Sequence, residues 1–242
     1  MDNKIITGYP TLDKILGGGL CPGEVTVLAG EYDGYGPDVL YLNILFNNLF
    51  LNHSENRGSG PILLFSSYGT FDDKVADIAE IDIEYIKKSI NQLKELNFYI
   101  EDEQRLSVDD IVERATELKE RAGLGCIIIE SFQTLIPRRP ACYPFGDKKE
   151  AIRAASCIKQ LARELNVPIL VVYYEALLYY AALRVSEREK VCRPMLEFAD
   201  NLLSLHYDTP DKCLTVDVKK NSQGIIGTVS LHLEQRYRRI TE

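Results

Sequence analysis

The sequence predicts an α/β fold: a mostly parallel, twisted sheet with helices on both faces and an antiparallel extension at its C-terminal edge. Three observations point there. Short, wholly or largely apolar runs at residues 24–29, 61–66, 125–130 and 168–172 have the length and composition of strands covered on both faces. Longer stretches of helical period separate them, as β-α-β units require. After residue 200 the alternation ends, and three strand-like runs follow at 201–206, 213–219 and 227–233 with only turns between them.

A chain of 242 residues with 45% hydrophobic content can bury a large core, and one domain spanning 1–242 is expected. Its 28 basic and 36 acidic residues give a net charge of −8, so no global field favours nucleic acid or an anionic membrane. Any DNA contact has to be local. Six cysteines, at 21, 126, 142, 157, 192 and 213, show no CxxC pairing and read as reduced, mostly buried thiols and not as a metal site. No signal peptide opens the chain and no apolar run approaches about 18 residues, which predicts a cytoplasmic protein without membrane contact.

In chain order, residues 5–24 read as a short helix between glycine-rich turns that feeds the first strand. The loop from Gly30 to Asp38, Gly-Glu-Tyr-Asp-Gly-Tyr-Gly-Pro-Asp, stands between that strand and an apolar helix over 39–46 that continues towards residue 52. This is the place of a phosphate-binding loop, and Gly30, Gly34 and Gly36 would let the backbone approach phosphate. A working loop reads GxxxxGK[ST], with the Lys on the β/γ-phosphates and the hydroxyl on Mg²⁺. Pro37 stands at the Lys position and Asp38 at the hydroxyl position. Proline removes a charge and an N–H, and aspartate brings an anion to a helix head that should attract one from outside.

Further on, residues 70–96 read as helical, 97–101 as a strand, and Ser107-Val-Asp-Asp110 as a capping box opening an amphipathic helix that ends near Gly123. The strand at 125–130 ends in Glu130, which reads either as an acidic support for Mg²⁺ or as a polar strand end. Arg138, Arg139, Lys148 and Lys149 lie beside Tyr143 and Phe145, as a phosphate-and-base contact or as a solvated charge cluster. Asp147 caps a long helix that carries Ala151, Ala154, Ile158, Leu161 and Leu165 on one face. The aromatic and apolar run 173–183 reads as core or subunit-interface packing. His53, His206 and His232 lack catalytic or ligand spacing.

Several phrases carry a resemblance: TGYPTLDKILGGGLCPGEVTVLAG from residue 7, YIEDEQRLSVDDIVERATELKERAGLG from 99, LARELNVPILVV from 161 and Arg193-Pro-Met-Leu196. Together they resemble the RecA-type ATPase core of DnaB-family replicative helicases, without the N-terminal domain and linker helix of those proteins. The resemblance implies a RecA-like P-loop NTPase fold, ring or filament assembly, and a site for ATP and Mg²⁺. It also assigns family positions. Tyr68 stands for the water-activating Glu, and tyrosine is no carboxylate base near neutral pH, its unperturbed pKa being about 10. Glu130 takes the metal-supporting acid, Gln133 a glutamine at the nucleotide or subunit interface (or else a loop hydrogen bond), and Tyr174 the γ-phosphate sensor. Lys220 matches a lysine that reaches the neighbouring subunit's site, Ser222 stands at the arginine-finger position, and roughly nine residues are missing after Leu196.

Five replaced groups in one site predict lost hydrolysis, since an arginine finger alone is worth about three to five orders of magnitude in rate. The expected protein is a pseudo-ATPase that binds no cofactor and acts with protein partners, as a homo-oligomer or with a replicative helicase. The alternatives are an active or residual ATP- and Mg²⁺-dependent helicase motor and a single-stranded DNA-binding module using Arg138, Arg139, Lys148 and Lys149.

Overall fold

A computed structural model describes residues 4–30, 36–51, 60–66, 97–103, 106–135, 148–174, 193–208, 210–234 and 238–242. The strands are β1 (Val25–Gly30), β2 (Ile62–Phe65), β3 (Phe98–Glu101), β4 (Cys126–Ile129), β5 (Ile169–Tyr174), β6 (Asn201–Asp208), β7 (Cys213–Lys220), β8 (Gly227–Glu234) and β9 (Arg239–Thr241). They form one sheet in the order β3-β2-β4-β5-β1-β6-β7-β8-β9. Pairing is parallel from β3 to β6 and antiparallel from β6 to β9. The expected α/β architecture and C-terminal extension are therefore present.

Period-two alternation along the central strands sends their side chains to two cores. Val25, Val27, Leu63, Ile127, Ile129 and Val171 pack with α3 (Val108–Ala122) and α4 (Lys148–Leu165). Leu28, Leu64, Ile128, Leu170 and Val172 pack on the other face with α1 (Pro10–Ile15) and α2 (Pro37–Phe46). Both helix faces follow from the sequence. Val108, Ile111, Ala115 and Leu118 recur at helical spacing on α3, as Ala151, Ala154, Ile158 and Leu161 do on α4, and all are buried. The capping box forms: the Ser107 hydroxyl accepts from the Asp110 N–H while the Asp110 carboxylate accepts from the Ser107 N–H, and Gly123 ends the helix at φ 77°.

α2 has no polar face. Every residue except Asp38 is buried, so the helix is held by packing all round and not by amphipathicity. It gives way at residue 47 to a π-helical stretch, Asn47–Leu51, where the sequence had predicted one continuous helix. The wider turn brings Asn43, Asn47 and Asn48 to bear on neighbouring backbone. Asn43 donates to the Arg238 carbonyl at 2.9 Å and accepts from the Ile240 N–H at 3.1 Å, which holds β9. Asn47 and Asn48 donate to the carbonyls of Thr7 and Ile6. Gly8 runs at φ +88°, and a Cβ there would lie 2.1 Å from the Asn47 amide, so only glycine fits.

Beyond the described residues lie the helix expected at 70–96, the aromatic run from 175 to 183, Asp147, Tyr143, Phe145, His53, Cys142 and Cys192. Cys21, Cys126, Cys157 and Cys213 are free thiols, and burial pushes Cys126 up to about 12. His206 and His232 are exposed.

Candidate functional site

The carboxyl ends of four parallel strands converge on the head of α2. β1 ends at Gly30, directly paired with Tyr174 at the end of β5, while β2 runs out into Ser66 and β4 into Glu130. Crevices at this edge of open α/β sheets are where ligands usually bind.

Here side chains fill the convergence. Glu130 is 2% exposed, and both its oxygens accept hydroxyl protons, Oε1 from Tyr41 and Oε2 from Ser66, each at 2.7 Å. Burial first, and the neighbouring Glu130 carboxylate second, push the Tyr41 hydroxyl well above its ordinary pKa, so it stays protonated and donates. Beside this pair the Tyr174 hydroxyl donates to Asp38. Gln133, also buried, donates from its amide to the Tyr174 carbonyl at 3.0 Å and so spans the ends of β4 and β5, the loop hydrogen bond that the sequence left as one of two readings. Serine, glutamate, two tyrosines, aspartate and glutamine thus form two adjoining buried chains of hydrogen bonds, where a satisfied polar network is rigid.

Pro37 sits against the strand end. A Cβ on Gly30 would lie 2.9 Å from the Leu205 carbonyl and 3.0 Å from the proline ring, so the glycine is needed for backbone and ring to meet. Gly36 is the N-cap and Pro37 the first residue of α2, which places Asp38 in the first turn. Gly34 and Tyr68 lie outside the described residues, as do Arg138 and Arg139. Lys148 and Lys149 stand exposed at the head of α4.

Lys220 and Ser222 lie at the opposite end of the sheet. Lys220 pairs with Leu202, next to the Asn201 that flanks Thr26, some four residues and roughly 13 Å of strand from Gly30. The Lys220 ammonium donates to the carbonyls of Glu197 and Ala199 at the end of the helix over residues 193–198, as a cation at a helix C-terminus does. The Ser222 N–H donates to Asn201. Tyr41 and Ser66 were not singled out from the sequence. The available signal for Tyr41 was a hydroxyl-tipped ring in an otherwise apolar helix.

A Mg²⁺–polyphosphate needs an ammonium, a metal-binding hydroxyl and an acid open towards the metal. Residues 37 and 38 supply neither ammonium nor hydroxyl, and Glu130 is closed in by two hydroxyl donors. These residues do not fit that ligand. Among the described residues no group of three His, Cys, Asp or Glu could hold a metal ion, and no helix is long and apolar enough to cross a membrane.

Comparison with known proteins agrees with the geometry. Residues 69–174 match the model of the DnaB-like helicase C-terminal domain. Over 85 residues the chain is 31% identical to the replicative DNA helicases DnaB of Rickettsia prowazekii and Rickettsia felis. That stretch is 35% of this chain and spans 17% of the length of those relatives. Two solved structures superpose over nearly the whole chain at 16% identity. One, an isolated ATPase domain, gives a TM-score of 0.77 over 99% of this chain and 91% of its own. The other, a DnaB-like replicative helicase described with its interactions with primase, gives 0.79 over 98% and 61%.

Proposed function

We propose that this chain, whose fold is that of the ATPase domains of DnaB-like helicases, does not turn over ATP and serves as a structural or regulatory partner in a DNA-replication assembly. Its partner is a replicative helicase or further copies of itself. One observation carries the reading: the strand ends that would receive phosphates and metal are tied to α2 by Tyr41, Glu130 and Ser66 and by Tyr174 and Asp38. Function resides in the site and not in the fold, so the scaffold alone restores no hydrolysis.

Isothermal titration with a non-hydrolysable ATP analogue, with and without Mg²⁺, tests it. No binding tighter than about 100 μM, or some 5.5 kcal/mol, is expected. A steady ATPase rate that co-purifies with the protein and disappears on Glu130→Ala would overturn the proposal.

A further inference from the structure

We propose that the Asp38 carboxylate is a built-in anion, held at the head of α2 by Tyr174, that takes the place an external phosphate would occupy. This deepens the reading above and rests on it. The head of a helix carries partial positive charge and turns N–H groups outward, so it calls for an anion. α2 meets this need within its own first turn. Its N-cap is Gly36, which offers no side chain, and Pro37 contributes no N–H. Asp38 is the acidic residue of that turn and the only residue of α2 that is not buried.

Its carboxylate is not left to solvent. The Tyr174 hydroxyl at the end of β5 donates to it, and the Tyr174 carbonyl is in turn held by Gln133. Tyr174 is fully buried at 0% exposure and paired in register with Gly30, against which Pro37 packs. The donor that fixes the carboxylate thus comes from the strand beside the loop. Helix head, carboxylate and tyrosine form a closed, autoinhibitory contact, because a second anion entering there would meet a like charge.

Thermal unfolding of the full chain, at one ionic strength set by chloride or by inorganic pyrophosphate, reads this out. Polyvalent anions of this kind raise most unfolding midpoints somewhat, so the quantity compared is the gap between wild type and variant in the same buffer. In chloride, Asp38→Ala should unfold roughly 2–6 °C below wild type. In pyrophosphate that gap should shrink by at least half, because the ion fills the vacated head of α2. Tyr174→Phe leaves the carboxylate in place but releases it, so its own gap should persist in both buffers. Asp38→Asn keeps the size of the side chain without the charge, and substitutes for the alanine variant if that fails to fold.

An Asp38 gap that does not change with pyrophosphate overturns the inference, as does a Tyr174→Phe gap that closes equally. Calorimetric binding of Mg²⁺–ATP to wild type would instead overturn the functional proposal. An unchanged gap without such binding removes the built-in anion alone.

Discussion

Glu130 shows how a residue can keep its place while its surroundings alter its chemistry. A carboxylate at 2% exposure requires compensation, and it has two hydroxyl donors. Removing one donor leaves a buried acceptor short. Tyr41→Phe should therefore lower stability by about 1–3 kcal/mol in urea denaturation. In a Glu130→Met background the same change should cost less than about 0.5 kcal/mol, because no carboxylate remains to be satisfied. Equal losses in both backgrounds would show that the hydroxyl matters for some other contact. Pro37 and Asp38 could be read from the sequence as departures because their positions follow from the strand and helix on either side. Tyr41 could not, since no local pattern reveals that a tyrosine on α2 will meet an acid 89 residues later.

At the scale of elements, the strands could be read from the sequence wherever burial on both faces made them wholly apolar, and α3 where its cap and its period agreed. β9 escaped notice. It is three residues long and is held by Asn43 as well as by β8, a support that lies far away in sequence. The π-helical stretch escaped for a similar reason, because asparagines bonding to distant carbonyls set its geometry and helix propensity does not. The capping box gives a test with a defined sign. The Ser107 hydroxyl first, and its N–H second, hold the Asp110 carboxyl below the usual carboxylate range. That contribution is complete above the unfolded value near 3.9 and is lost as pH falls through the lower folded value. Ser107→Ala should cost about 1 kcal/mol at pH 7, and the difference from wild type should narrow in strong acid. A difference that stays constant down to pH 2 would assign the loss to the cap alone, without the carboxylate.

Across the whole molecule, α2 joins what the sheet keeps apart. Its head meets four strand ends, while farther along its asparagines hold the backbone of residues 6 and 7 on one side and of 238 and 240 on the other. The Arg239 guanidinium also lies 5.5 Å over the Phe46 ring, and Glu242 accepts from the Thr11 N–H at the start of α1. Asn43→Ala should leave the Ile240 N–H and the Arg238 carbonyl without this partner. Hydrogen exchange should then speed up in β9 by an order of magnitude or more, for about 1.4 kcal/mol of lost local stability, while β1, β4 and β5 stay protected. Uniform deprotection of the sheet would mean that β9 does not open on its own. The same asparagine contacts fix how the molecule bears tension. A pull on its two ends loads the short bonds from α2 to residues 6–7 and 238–240 before any parallel strand is strained. The clasp would part at low force, and the interlocked strand ends around Glu130 would be the last to yield.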